Sequence, residues 1–131
     1  MNVHLDWDGD LRFSGNVGET PVRIDGDAGE APSPVQMLAA SLAACMAIDV
    51  VHILGKMRTP ALSLAVDSSI ERATGDPRRI VRATMIFKVG GDVPAANLQR
   101  ALDLSRETYC SVWHSLRQDI ELATTFEITS N

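Results

Sequence analysis

One stretch of this chain limits the fold more than any other. Residues 31–48 contain no charged side chain, and over residues 35–57 apolar side chains cover most of a helical circumference. Ser33 can cap such a helix, and Pro34 suits its first turn. The uncharged part stops at Asp49, a length that favours a buried helix over a membrane span. The helix must therefore be enclosed by the rest of the chain or by a second subunit.

Composition predicts one soluble domain over residues 1–131, because 45% of the residues are hydrophobic and 22% are charged. The net charge of -5 and the scattered Lys and Arg residues disfavour nucleic acid or a membrane surface as a partner. The first ten residues lack the pattern of a signal peptide, so we expect a cytoplasmic protein. A permanent disulfide is disfavoured in that reducing compartment.

Three short strands are predicted ahead of the helix. Val3 to Trp7 and Leu11 to Ser14 flank Asp8-Gly9-Asp10, which is a hairpin signal, and Thr20 to Asp25 adds a third strand. Residues 25–34 are rich in turn formers and predict a loop that leads into the helix.

Alternating apolar residues predict two further strands after the helix. One face comprises Leu62, Leu64, Val66, Ser68 and Ile70, and another comprises Val81, Ala83, Met85, Phe87 and Val89. Helices are then predicted over residues 95–107 and 110–117, followed by a strand over residues 120–128. This order predicts an α+β fold, with curved, mostly antiparallel sheets around a long central apolar helix.

Cys45, inside the long helix, and Cys110, in Tyr-Cys-Ser-Val, are the residues with the most reactive chemistry. They allow three interpretations, namely a redox couple, a metal clamp or two inert core residues. Cys45 lies too far from the helix start for the helix dipole to lower its pKa, so a reactive thiolate needs a cationic neighbour. The candidate arginines are Arg12, Arg23, Arg58 and Arg106.

A metal site is the second interpretation of the cysteines. Cys45, Asp49 and His52 repeat at i, i+4 and i+7 on one helical stripe, and Cys110 and His114 repeat at i, i+4 on another. Together they offer a tetrahedral ligand set. Neither pair has an established zinc spacing, so we expect no bound metal.

The segment from Pro32 to Arg58 resembles the long central helix of the OsmC/Ohr family, the osmotically inducible and organic hydroperoxide resistance proteins. Tyr109-Cys-Ser-Val112 resembles the second cysteine motif of that family. The resemblance covers nearly the whole chain, and two cysteine motifs in the right order make it specific. It implies an OsmC-like α+β subunit in an intertwined homodimer.

The resemblance also implies a thiol-dependent peroxidase that reduces organic hydroperoxides, and hydrogen peroxide as a second substrate, in oxidative stress defence. Cys45 would attack the peroxide and become a sulfenic acid, and Cys110 would resolve it as a disulfide. Arg12 matches the family arginine that stabilises the thiolate. No cofactor is implied, and an external dithiol reductant would restore both thiols. Apolar side chains near Cys45 favour an alkyl peroxide as substrate, namely Leu38, Leu42 and Met46.

One position departs from the family pattern. Family peroxidases carry a glutamate just after the proline that opens the helix, where it holds the arginine, but this chain has Val35 and Gln36. The Gln36 carbonyl can accept a hydrogen bond from a guanidinium, and Glu30 can supply the missing charge from the loop. The departure favours one alternative, a catalytically weakened OsmC-like protein that binds a small molecule. A Cys/His metal-binding protein is the other.

Overall fold

The computed structural model describes residues 1–129. The chain divides into two compact units, residues 1–39 and the part from Ala40 onward, and the division falls within the long helix. Each unit is described by itself.

The first unit contains an antiparallel three-stranded sheet in the order β1-β2-β3. Its strands are β1 (Val3–Gly9), β2 (Arg12–Val17) and β3 (Thr20–Asp25), which confirms the three predicted strands. The first turn begins at Gly9, whose φ of 104° lies in the region that glycine tolerates best.

The loop after β3 is organised by one buried carboxylate. Asp25 is only 5% exposed and accepts hydrogen bonds from the backbone N–H groups of Asp27, Gly29 and Glu30 at 2.9, 3.2 and 2.9 Å. The Glu30 N–H, followed by the Asp27 N–H, lowers the pKa of Asp25 below its ordinary value, although burial opposes this. The carboxylate therefore fixes the turn that presents Glu30.

Helix α1 (Pro34–Lys56) begins and ends within one residue of the predicted bounds. Ser33 and Gln36 form a capping box, in which the Gln36 N–H donates to Ser33 Oγ at 3.2 Å and the Ser33 N–H donates to Gln36 Oε1 at 3.0 Å. By length and composition alone α1 could cross a membrane, with a mean hydropathy of 2.0 over 18 residues. This is weak evidence, because the core helix of a soluble protein passes the same test.

The second unit contains a sheet in the order β4-β5-β6. Strands β4 (Ser63–Arg72) and β5 (Ile80–Gly90) are antiparallel, as predicted, whereas β6 (Glu121–Thr129) pairs with β5 in parallel. Parallel pairing requires a crossover connection. Here the connection consists of α2 (Ala95–Leu104), a π-helical turn (Ser105–Tyr109) and α3 (Ser111–His114).

Both connecting helices are shorter than the sequence predicted. The first was expected over residues 95–107, but its α-helical part ends at Leu104 and continues as the π-helical turn. The second was expected over residues 110–117 and covers only Ser111–His114. The backbone N–H of Cys110 bonds to the Ser105 carbonyl at 2.8 Å, which closes the wider turn before α3 starts.

The core of the second unit joins one stripe of α1 to the inner faces of β5 and β6 and to the crossover. Alternating residues of β5 are buried as the pattern predicted, and Arg82, Ile86 and Lys88 between them are exposed. The core residues include Leu42, Met46, Val50, Leu54, Ala83, Met85, Phe87, Val89, Leu98, Leu102, Cys110, Trp113 and Leu122.

Phe87 is the largest fully buried side chain, so Phe87→Ala is expected to lower the free energy of unfolding by about 3–5 kcal/mol. Ile86→Ala on the opposite face, where Ile86 is 37% exposed, is the matched control and should cost at most about 1 kcal/mol. Urea unfolding at one fixed protein concentration measures both values. Equal losses would contradict the assignment of the two faces of β5.

Candidate active site

The structure brings the two cysteines together. Cys45 lies half-buried on α1 and Cys110 is fully buried between the π-helical turn and α3, and both are free thiols. Their sulfur atoms and a carboxylate oxygen of Asp49 all lie within 4.8 Å of one another. A disulfide bond is about 2.05 Å long, so the sulfurs need to approach by less than about 3 Å to form one.

Cys110 is held by the local backbone and by its neighbours. Its sulfur caps α3 by accepting a hydrogen bond from the Trp113 N–H at 3.4 Å. Arg106 ties the π-helical turn to β6, because its Nη1 donates to the Leu122 carbonyl at 2.7 Å and its guanidinium lies 5.7 Å from the Trp113 ring centroid. The position of Cys110 is therefore fixed from both sides.

Cys45 has the environment of a reactive thiol. Burial by itself raises its pKa, but three donors outweigh that effect, and the pKa of Cys45 lies below its ordinary value. The largest of these effects is the hydrogen bond from the Val112 N–H, followed by those of the Cys110 thiol and the Ser111 hydroxyl. The Ser111 Oγ lies 3.9 Å from the sulfur.

Cys110 has the opposite character. Burial is the largest cause that raises the pKa of Cys110 to about 11, while the Trp113 N–H opposes it and Cys45 and Asp49 raise it further. The centre therefore contains one thiol that ionises more readily than an ordinary cysteine and one that ionises less readily.

Asp49 is the third member of the cluster. Its Oδ2 accepts a hydrogen bond from the hydroxyl of the buried Ser105 at 2.8 Å, and its negative charge raises the pKa of both cysteines. The sequence indicated that Asp49 lies near Cys45, because the i, i+4 spacing places both residues on one helical stripe. No sequence pattern predicted the contacts of Ser105, Ser111 and the Val112 N–H with this cluster, because their positions depend on the π-helical turn.

A cavity of about 410 Å³ adjoins the cluster through Asp49. It combines apolar walls with charged and hydroxyl groups, and its lining residues are Asp49, His52, Ile53, Lys56, Met57, Leu104 and Tyr109. This composition is typical of a site for a small molecule with an apolar body and one polar end.

Two residues expected to line a substrate pocket are core residues in this structure, and their role in substrate binding stays a prediction. Leu42 is 3% exposed and Met46 is 0% exposed, because both point into the core of the second unit. The third residue, Leu38, belongs to the first unit and is 37% exposed. Polarity around Cys45 in the sequence could not separate the core face of α1 from its open face.

Two of the candidate arginines, Arg12 and Arg23, form ion pairs within the first unit. In the first unit Arg12 pairs with Asp10 at 3.4 Å and with Glu30 at 3.6 Å, and Glu30 also pairs with Arg23 at 3.6 Å. Gln36 was expected to hold the guanidinium, but its carbonyl accepts the Ser33 N–H of the helix cap. Asp10 and Glu30 are thus the acidic partners of Arg12. The roles of Arg12 and Gln36 in catalysis stay predictions.

The structure changes the metal hypothesis. Among residues 1–129, the group of donors close enough to share an ion consists of Cys45, Asp49 and Cys110, and neither His52 nor His114 belongs to it. Structural zinc sites have four protein ligands, so this cluster lacks the histidine that the hypothesis required.

Comparison with known proteins identifies the family and supports the fold. A family model described as OsmC-like protein matches residues 26–125. Protein YhfA of Escherichia coli strain K12 is 34% identical over 133 residues, which cover 99% of each chain. A hypothetical protein from Aquifex aeolicus VF5 superposes with a TM-score of 0.91 at 22% identity, over 99% of this chain and 96% of that one. The organic hydroperoxide resistance protein OhrB of Bacillus subtilis gives 0.70 at 14% identity, over 97% and 98%.

The fold and the site define an α+β protein with a paired-thiol centre. The matched family model and the full-length relative at 34% identity show that the chain belongs to the family of OsmC-like proteins. This confirms the family resemblance found in the sequence. Membership in the family is consistent with a redox or stress-response role.

The two cysteines should alkylate at very different rates. Because the thiolate is the reactive form, iodoacetamide at pH 7 should modify Cys45 well before Cys110, as measured by peptide mass spectrometry. Ser111→Ala removes one donor, which raises the pKa of Cys45 and slows its alkylation at pH 7. Ser69→Ala, at an exposed serine of β4, is the matched control and should leave the rate unchanged. Faster labelling of Cys110 would contradict the assignment.

Proposed function

We propose that this protein is a thiol-dependent peroxidase that reduces organic hydroperoxides, with Cys45 as the peroxidatic residue and Cys110 as the resolving residue. The observation that carries the proposal is the pair of free sulfurs within 4.8 Å, of which one has a lowered and the other a raised pKa. Family membership supports a redox role.

The chemistry follows from this difference. The Cys45 thiolate attacks the terminal oxygen of the hydroperoxide, the O–O bond breaks, and an alkoxide leaves and is protonated to the alcohol. Cys45 is now a sulfenic acid. Cys110 attacks its sulfur, which gives a disulfide and water. An external dithiol then reduces the disulfide by thiol exchange, so that no metal or other cofactor takes part in the cycle.

The cavity next to Asp49 suits an organic substrate better than hydrogen peroxide. Ile53, Met57 and Leu104 offer apolar surface for an alkyl or aryl group, while the peroxide end would point to the cluster. Leaving-group charge is stabilised best by a cation or by hydrogen-bond donors. Arg12 is our candidate for this role by its match to the family arginine, and Asp10 and Glu30 are its carboxylate partners.

Thiol counting with one equivalent of cumene hydroperoxide tests the proposal. The wild type should lose two thiols rapidly, because disulfide closure consumes both. Cys110→Ser should lose one thiol and accumulate a sulfenic acid that dimedone traps, and Cys45→Ser should lose none. Mass spectrometry identifies each product.

The same experiment separates the alternatives when elemental analysis of the purified protein accompanies it. Unchanged thiols with bound zinc would support a metal-binding protein that uses Cys45 and Cys110. Unchanged thiols without metal would support a catalytically weakened protein that binds a small molecule in the cavity of about 410 Å³. Either result would overturn the peroxidase proposal.

We further propose that the protein is a homodimer in the cytoplasm. The cytoplasm is proposed because a pair of thiols that must return to the reduced state after each turnover suits a reducing compartment. The dimer is inferred from α1, where Ile48 is 67% exposed and Val51 is 53% exposed. These side chains line a shallow apolar depression together with Ala47, His52 and Leu64. A second copy of the chain would remove this apolar surface from water.

Light scattering at micromolar concentration should give the mass of a dimer for the wild type, twice the 14.2 kDa of one chain. The double variant Ile48→Asp with Val51→Asp should be monomeric, because it would bury two uncompensated charges in the interface. Ser69→Asp on the exposed face of β4 adds charge elsewhere and should stay dimeric. A wild-type monomer would refute the proposed assembly.

A further inference from the structure

Asp49 is a charged group beside both thiols that the two-cysteine cycle, as described so far, does not use. Its carboxylate and both sulfurs lie within 4.8 Å of one another, and the buried Ser105 hydroxyl donates to its Oδ2 at 2.8 Å. Asp49 is itself only partly exposed and lines the cavity. The carboxylate is therefore held in place next to the reacting atoms.

The charge of Asp49 opposes the formation of both thiolates. It raises the pKa of Cys45 and that of Cys110, so a neutral residue at this position would make each thiol more reactive. Electrostatic tuning alone therefore gives no reason for a carboxylate here. The position of the carboxylate oxygens, within 4.8 Å of the Cys110 sulfur, offers another role.

The resolving step has a proton to move. Cys110 is buried and protonated, and its S–H bond must break as its sulfur attacks Cys45. The hydroxyl group that leaves the Cys45 sulfenic acid must take up a proton to depart as water. One proton thus travels from the Cys110 sulfur to the oxygen on Cys45, and the sum of the step is a sulfenic acid and a thiol giving a disulfide and water.

We propose that Asp49 is the general base of disulfide closure, which accepts the proton of the Cys110 thiol and returns it to the hydroxyl leaving Cys45. A separation of up to 4.8 Å is one that a single water molecule bridges. Ser105 is a positioning residue, because its hydrogen bond to Oδ2 fixes the orientation of the carboxylate. The inference rests on the proposed peroxidase function for the source of oxidised Cys45.

Single-turnover stopped-flow fluorescence tests the proposal, with Trp113 as the reporter because its backbone N–H donates to the Cys110 sulfur, which places this residue beside the reacting thiol. The first phase depends on the concentration of cumene hydroperoxide and reports oxidation of Cys45. The second phase is independent of that concentration and reports disulfide closure. Asp49→Asn should leave the first phase equal or faster and slow the second by about 100-fold, the usual range for loss of a general base.

If Asp49 acted only through its charge, Asp49→Asn would change the rate of the second phase in the opposite direction. Loss of the negative charge would lower the pKa of Cys110, so the second phase of Asp49→Asn would become faster. A faster or unchanged second phase therefore overturns the proposal. Asp67→Asn is the matched control, because it removes the same charge from an exposed ion pair with Lys88 at 3.0 Å and should leave both phases unchanged. Asp49→Glu keeps the base and should recover part of the rate, which excludes a general folding defect.

A second oxidant separates this proposal from the peroxidase function. If the wild type shows no first phase with hydroperoxide, the peroxidase proposal fails, and the closure step is then measured with diamide. The Cys45 thiolate adds to the N=N bond of diamide, and Cys110 displaces the resulting hydrazine, whose nitrogen takes up the proton. The same proton must leave Cys110, so Asp49→Asn should again slow disulfide formation. An equal rate in the two proteins would refute the role of Asp49.

Discussion

Within residues 1–129, the hydrogen bonds that lower the pKa of Cys45 come from the segment that carries the second cysteine. The Val112 N–H, the Cys110 thiol and the Ser111 hydroxyl point to one sulfur, and their combined effect exceeds the cost of partial burial. The backbone turn that presents Cys110 therefore also lowers the pKa of its partner. Pairing and activation of the thiols therefore depend on the same local geometry.

The two thiols differ because their surroundings differ in solvent access and in donors. Cys45 is half-buried on α1 with three donors, whereas Cys110 is fully buried and receives one N–H from Trp113. The thiolate, which is the reactive form of a cysteine, is therefore favoured at one defined sulfur. Arg106, which bonds the Leu122 carbonyl and stacks on Trp113, keeps Cys110 in position. Arg106 was one of the candidate cationic neighbours of Cys45, and in the structure it holds the segment that carries Cys110.

Local pattern predicted most of the fold. Period-two alternation identified β4, β5 and β6, and the capping signal at Ser33 with the uncharged stretch identified α1 within one residue. The parallel pairing of β6 with β5 was not predictable, because strand partners depend on contacts distant in sequence. The family resemblance assigned Cys45 and Cys110 as a pair, and the structure places them together. It could not show that Gln36 caps α1 or that Leu42 and Met46 are core residues, since those facts depend on which face of the helix is covered.

Helix α1 supports two functions with two stripes of side chains. Its buried stripe, which includes Val50 and Leu54, anchors the core, while Cys45 and Asp49 occupy a partly open stripe beside it. Rigid support of this kind suits a site whose side chains must start from a fixed arrangement.

The π-helical turn Ser105–Tyr109 sets the spacing between Ser105, whose hydroxyl bonds to Asp49, and Cys110, whose backbone N–H closes the turn. Each residue of an α-helix advances the chain by about 100° around the axis. Losing one position inside this turn would rotate the second sulfur onto another side of the segment, although every side chain of the cluster would still be encoded. When relatives of this chain are aligned, a deletion within residues 105–109 therefore indicates the loss of the thiol pair more strongly than a substitution there does.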